Sequence, residues 1–312
     1  MRRRRRTGGG RTALLVGSLA VVLTGCSAHD VEAKLRFGWP SGVTDQAEKT
    51  RTLWTWSCVA ALAVGVLVWG LIFWCCIRYR KKSDGLPRQT KYNLPVEIVY
   101  SLAPFIIIAG LFYRTVVVEN YVNKLSKNPD VKVQVEAFKW NWQFNYLADH
   151  GKPTIYPGSR AVLSTVGSSD EIPILVVPKG ETVQIIEHSD DVIHSFWVPE
   201  FLFKRDVIPY GPDHTSMDNK FEFTATSTGS FVGRCAELCG TYHSEMNFEV
   251  RVVQPAVFTR YLQALVKVGA NNPARQAEAL TAAAVPGGPY ATTTHPFNTV
   301  RTAESATNGH GS

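Results

Sequence analysis

The chain has no Cys-x-x-Cys-His run, which excludes c-type haem attachment. Its two long apolar stretches contain no histidine, so neither can offer an axial haem ligand from within a membrane span. Dispersed positive charge is lacking too, despite a formal charge of +7 over 312 residues. Six of those charges are Arg2 to Arg6 and Arg11, and they precede the apolar run Ala13 to Leu23 in the layout of a secretory signal. A further +5 sits between Arg78 and Lys91, which leaves the remainder mildly acidic at about −4. A nucleic-acid-binding surface is therefore excluded, and no nucleic acid is expected as a partner. Methionine is scarce, with three in the whole chain, and the position of one of them matters.

That methionine closes the stretch Cys235-Ala-Glu-Leu-Cys239-Gly-Thr-Tyr-His243-Ser-Glu-Met246. Two thiols, an imidazole and a thioether within twelve residues form a soft-metal ligand set, and among biological metals it favours copper. Zinc sites seldom recruit methionine, and magnesium or calcium sites take oxygen. A mononuclear blue-copper site uses one thiolate, so the second cysteine is one too many, whereas two thiolates can bridge two copper ions. The missing ligand should be a distant histidine, and His194 in Asp190-Asp191-Val192-Ile193-His194-Ser195-Phe196-Trp197 is the best placed. A disulfide between cysteines four apart in an exported protein is the competing reading. His243 and Met246 at fixed offsets, with Gly240 permitting a tight turn, count against it.

This loop resembles that of subunit II of the haem-copper cytochrome c oxidases, whose binuclear copper A site has the same spacing. The resemblance implies two copper ions bridged by Cys235 and Cys239 and completed by His194, His243, Met246 and the backbone carbonyl of Glu237. Where the family often has an apolar residue before the ligand methionine and a proline after it, this chain has Glu245 and Asn247. The resemblance further implies oxidase subunits I and III as partners. Electrons would come from cytochrome c or a membrane-tethered cytochrome of a bc complex and pass to haem in subunit I, where oxygen is reduced and protons are translocated. It also implies a magnesium ion bound by the Glu237 carboxylate at the subunit I interface.

Leu53 to Ile77 has no charged residue in 25 positions, long enough at 1.5 Å per residue to cross roughly 30 Å of hydrocarbon. Val96 to Val118 is a second span, with Glu97 near one end and Arg114 near the other. Trp54 and Trp56 read as interfacial anchors, and Cys58, Cys75 and Cys76 as packing residues. The basic loop 78–95 is placed in the cytoplasm by the positive-inside rule, so the segments before and after the hairpin lie outside a plasma membrane. Leu23-Thr24-Gly25-Cys26 resembles a lipoprotein cleavage box. It predicts a signal peptide over 1–25, a lipid anchor at Cys26 and an exported segment over 26–52.

Beyond the hairpin, Val131, Val133 and Val135 alternate with Lys132, Gln134 and Glu136, the period of a half-buried strand. Similar β-rich runs at Thr182 to Glu187, Lys220 to Thr226 and Asn247 to Val253 predict an all-β sandwich over 130–254, and the resemblance makes it cupredoxin-like. The predicted fold is thus a two-helix transmembrane hairpin followed by that sandwich. Leu147 to Ile174, rich in Gly, Pro and Ser, reads as an insertion that interrupts the sandwich and serves as a docking surface. A helix-like stretch from Pro255 to about Val268 precedes a tail with too little apolar periodicity for a core, so most of 255–312 is expected to be disordered.

Phe138 to Tyr146 is dense in aromatic residues, as in a strand burying alternate rings. By resemblance, Trp140 would be the exposed ring through which electrons arrive. Glu97-Ile98-Val99-Tyr100-Ser101-Leu102-Ala103-Pro104 resembles the family's Glu-x-x-Trp-Thr-x-x-Pro signature, which would put Glu97 at the mouth of a proton channel. Asp206 matches a family segment facing subunit I. A quinol-oxidase subunit II would lack the copper ligands that this chain has. A copper-trafficking or storage lipoprotein would need a labile, exposed site rather than two membrane spans.

Overall fold

The computed structural model describes residues 36, 38–82, 84–86, 89–147, 163–209, 219–269 and 273–296. The expected signal peptide and lipid-anchor cysteine lie outside these. Residues 1–41 form one unit, of which 36 and 38–41 are described, and 42–312 form a second.

The second unit begins with two long helices, α1 (Asp45–Arg78) and α2 (Leu94–Val122). The α1 helix starts eight residues before the apolar run, because the hydroxyl of Thr44 accepts from the Ala47 N–H at 3.1 Å and Asp45 and Glu48 complement the first-turn dipole. Arg78 complements the last turn. The α2 helix has a proline at its start, and Glu97 Oε1 reaches back to accept from the Asn93 N–H at 2.8 Å. Both helices are long and apolar enough to cross a membrane, and their apolar windows are not buried within the chain.

Among the described residues the sandwich contains ten strands: β1 (Val131–Phe138), β2 (Asn141–Tyr146), β3 (Leu163–Val166), β4 (Ile174–Pro178), β5 (Thr182–Ser189), β6 (His194–Val198), β7 (Phe203–Val207), β8 (Asn219–Thr224), β9 (Gly229–Cys235) and β10 (Asn247–Val253). One sheet has the order β3-β2-β1-β5-β8 and the other β4-β10-β9-β6-β7. β1 runs parallel to β5 and β4 parallel to β10, while the other neighbours are antiparallel. The alternation read in Val131, Val133 and Val135 is the alternation observed, with these three and Ala137 buried and the intervening residues half-exposed. Between the sheets, Trp142, Phe144, Phe196, Phe221 and Phe248 are fully buried, with Phe196 and Phe248 centroids 4.7 Å apart and Trp142 and Phe248 5.1 Å apart. Each such side chain contributes about 1.5–3 kcal/mol by burial alone. Gly233 admits no side chain, because a Cβ there would lie 2.1 Å from the Phe248 ring.

Two expectations are corrected. The stretch Leu147 to Ile174 does not simply interrupt the sandwich. Its described part includes edge strand β3, which pairs with β2 and buries Leu163, Ser164 and Thr165, and it reaches the start of β4. The stretch beyond Pro255 is ordered over 255–269 and 273–296. Helix α3 (Pro255–Val268) buries Phe258, Tyr261, Leu262 and Leu265, and helix α4 (Pro273–Ala282) carries the buried Ala279 and Leu280. Polar bonds make up for weak apolar periodicity. Gln276 bonds the Ile174 N–H and the Ile172 carbonyl, while Glu249 and Arg251 of β10, paired at 2.7 Å and inaccessible to solvent, hold the segment after α4. Arg251 donates to the carbonyls of Gly288 and Tyr290, and Glu249 Oε2 accepts from the amides of Thr292 and Thr293 at 2.6 and 2.8 Å.

Candidate metal centre

The β9–β10 connection carries most of the donors. The Cys235 N–H donates to the Met246 carbonyl at 3.1 Å, which closes the loop, and the Ala236 N–H donates to Ser195 O at 3.0 Å, which ties it to β6 beside His194. Gly240, with φ of +123°, makes the turn after Cys239, and Trp140 packs against it so closely that a Cβ would lie 3.2 Å from the indole. A short 3-10 turn, His243–Glu245, then delivers Met246 into the core, where it is buried.

The donors converge. Cys235 Sγ and Cys239 Sγ are 3.7 Å apart, too far for the ~2.05 Å bond of a disulfide. That spacing allows both to ligate one ion at about 2.3 Å. His194 Nδ1 is 3.8 Å from Cys235 Sγ and His243 Nδ1 is 3.5 Å from Cys239 Sγ, and Met246 Sδ is 3.9 Å from Cys239 Sγ. The Glu237 carbonyl lies 3.3 Å from Cys235 Sγ. The donor atoms of His194, Cys235 and Cys239 all fall within 4.8 Å of one another, and all three residues are buried. Two thiols, two imidazoles, a thioether and a carbonyl around one small volume suit a soft metal, so the residues present fit copper.

Electrostatics match a cation site. Burial pushes the Cys235 thiol up, but His194, the backbone at Glu237 and Ser195, and the Cys239 thiol together outweigh that and hold it at about 7. Burial pushes Cys239 up as well, and the neighbouring Cys235 thiolate takes it further, to about 12. Without a cation the pocket thus tolerates one thiolate readily and a second only poorly, so binding a metal to both sulfurs releases a proton.

The sequence reading assigned no role to Asp191 or Trp142. Asp191 Oδ1 is 2.8 Å from His194 Nε2, an arrangement in which Nε2 carries the proton and Nδ1 turns its lone pair to the sulfurs. Burial raises the Asp191 carboxyl, but His194 and the N–H groups of Val192 and Lys139 outweigh it and hold it below its usual value. The buried Trp142 indole donates to the Met246 carbonyl at 3.2 Å and meets the His194 ring edge-on. Spacing three residues before a candidate ligand histidine was the available signal for Asp191, whereas Trp142 acts across the sandwich and leaves no local signal. Trp140 does join the site. Its indole N–H donates to the Cys239 carbonyl at 3.3 Å, and its ring meets Tyr242 edge-on at 4.9 Å. Glu97 does not, since it lies in the first turn of α2, and Asp206 sits opposite Ser195 on β7 with its carboxylate 3.5 Å from Lys204.

Fold and site define a β-sandwich protein preceded by two helices long and apolar enough to cross a membrane, with a soft-metal donor set gathered at one end of the sandwich. Residues 131–253 match the family described as cytochrome c oxidase subunit II, periplasmic domain. The probable cytochrome c oxidase subunit 2 of Nocardia farcinica is 48% identical, with 94% of this chain and 89% of that protein covered. The cytochrome c oxidase subunit 2 of Mycobacterium tuberculosis is 43% identical, with 93% and 88% covered. A solved periplasmic domain of subunit II of cytochrome oxidase (CoxB) of Bradyrhizobium japonicum is 27% identical, covers 46% of this chain and 98% of its own, and has a TM-score of 0.34. The chain belongs to the cytochrome c oxidase subunit II family.

Proposed function

We propose that the protein is the electron-accepting subunit of a respiratory cytochrome c oxidase. It takes single electrons from cytochrome c, or from a tethered cytochrome of a bc complex, at a binuclear copper centre and passes them to haem in subunit I. Reduction of oxygen to water and the coupled proton translocation belong to the complex with subunits I and III. The observation that carries this reading is the convergence of the Cys235, Cys239, His194, His243 and Met246 donors and the Glu237 carbonyl at the end of a rigid sandwich.

Two copper ions bound there would supply a one-electron carrier whose charge is shared between the metals. The protein's own residues do the rest. Cys235, Cys239, His194, His243, Met246 and the Glu237 carbonyl would hold the ions. Asp191 holds the His194 ring in one orientation, and the indole of Trp142 fixes the backbone that presents Met246, so little has to move when charge changes. Trp140, half-buried and bonded to the backbone of a ligand cysteine, gives electrons from a docked donor a short route inward. The carboxylate of Glu237 would hold a magnesium ion at the subunit I interface, and Glu97 would receive protons at the mouth of a channel. The hairpin anchors the sandwich outside the plasma membrane, with a second anchor at a lipidated Cys26.

Purification in detergent tests the proposal: copper and haem-bearing partner subunits should accompany the chain, and reduced cytochrome c should reduce the copper. A haem-free monomer that takes no electrons from cytochrome c would contradict it, and would favour copper trafficking or storage. Glu237→Gln should lower manganese or magnesium occupancy with the copper content unchanged, and equal occupancy would count against the magnesium role.

A further inference from the structure

The connection between α1 and α2 carries none of the metal-site donors, yet it is the most strongly charged stretch after the N-terminal arginines. Arg78, Arg80, Lys81, Lys82, Arg88 and Lys91 stand against Asp84 alone, and Lys81 already pairs with Asp84 at 2.8 Å. Every described residue from 78 to 93 is exposed, so no core forms among them. It also carries apolar surface. Tyr79 and Tyr92 are each 72% exposed and Leu86 is 92% exposed, which a loop shaped only for solvent would not need.

The charges and the apolar groups are arranged together. At one root of the loop the Arg78 guanidinium lies 5.9 Å from the Tyr79 ring centroid, and at the other Lys91 Nζ lies 5.2 Å from that of Tyr92. Both tyrosines sit where the membrane-length helices end, the level at which aromatic rings favour the bilayer interface and long cationic side chains reach its headgroups. The loop closes the end of α1 opposite the end that meets the sandwich, about 50 Å along a helix of 34 residues. Two helices thus hold it at a membrane surface, where cations attract anionic lipid. A soluble polyanion would use the charges but leave Tyr79, Leu86 and Tyr92 in water, whereas a lipid surface accommodates both.

We propose that this loop is a binding surface for anionic phospholipid headgroups. Arg80, Lys82 and Lys91 take up phosphate oxygens, and Tyr79, Leu86 and Tyr92 lie at the boundary with the acyl chains. The surface is independent of the metal centre.

The test uses the full chain in bilayers that contain a trace of spin-labelled phosphatidylglycerol or phosphatidylcholine. The wild type should favour phosphatidylglycerol by at least about threefold. The preference should fall towards parity in Arg80→Gln/Lys82→Gln/Lys91→Gln, and in the wild type as salt shortens the Debye length from about 10 Å at 0.1 M to about 3 Å at 1 M. Arg78, Lys81 and Arg88 remain in the variant to hold its orientation. Copper content should not change, which separates a failure here from a failure of the metal-centre reading. Free glycerol phosphate should not displace the labelled lipid. Equal partition of the two lipids in the wild type, an undiminished preference in the variant, or displacement by free glycerol phosphate would overturn the proposal. So would a wild type without lipid preference whose variant loses its partner subunits, since the loop would then be a protein contact.

Discussion

Asp191 takes its role from the imidazole beside it. Its carboxylate fixes one nitrogen of His194 and so aims the other at Cys235. Asp191→Ala should therefore weaken copper binding by about 10–100-fold without unfolding the sandwich, read by competitive chelator titration. Cys235→Ser and Cys239→Ser should each abolish a coupled two-copper centre, because a serine oxygen neither bridges nor shares charge as a thiolate does. Copper content and spin resonance check this, and two coupled coppers in either variant would contradict it. Glu97→Gln separates the observed contact with Asn93 from the proposed part in proton uptake. A Gln carbonyl can still accept the Asn93 N–H, so α2 should keep its first turn while proton uptake slows, measured as turnover in vesicles. Normal turnover would remove Glu97 from the proton route.

At the scale of elements, the chain entering α1 is clamped to the sandwich. The Val43 N–H donates to Glu200 O at 3.0 Å and the Thr226 N–H to Val43 O at 2.8 Å, while Asp45 accepts from the Thr224 N–H at 2.9 Å and from the Tyr121 hydroxyl at 3.0 Å. One carboxylate thus joins α1, α2 and β8. Asp45→Ala should speed hydrogen exchange at the Thr224 amide by about tenfold, with copper content unchanged, since one such bond contributes roughly 1–1.5 kcal/mol. The segment after α4 depends on Glu249 in the same manner. Burial alone would raise the Glu249 carboxyl, but Arg251 and the donors of Thr292 and Thr293 outweigh it and hold it below its usual value. A carboxyl depressed on folding adds stability above its unfolded value, near 4.5, and that stability is lost as pH falls through the lower folded value. Glu249→Gln should destabilise the domain by about 3–5 kcal/mol at pH 7 by stranding Arg251. It should also flatten the acid limb of a melting-temperature curve, and an unchanged acid limb would contradict the assignment.

Across the whole molecule, the legible parts were those whose signal is local. The two long apolar helices follow from uninterrupted apolar sequence, β1 from alternation, and the donor-rich loop from four donors in twelve residues. The Ser and Thr between Leu163 and Val166 hid β3, since all of Leu163, Ser164 and Thr165 are buried and no alternation marks the strand. The ordered stretch 273–296 was hidden for a related reason. It is held by Gln276, Thr292 and Thr293 meeting groups more than forty residues away in sequence, and by an ion pair in β10 whose outward parity does not reveal that another layer covers it. Sequence periodicity reports apolar faces, whereas these contacts are polar and distant.

The central claim is that Cys235 and Cys239 share two copper ions, and electron spin resonance on the purified full chain with its metal counted tests it most directly. The prediction is two coppers per chain and, in the one-electron state, a single unpaired electron coupled equally to both nuclei, with a near-infrared band that disappears in Cys239→Ser. One copper per chain with coupling to a single nucleus, or a zinc ion in its place, would contradict it.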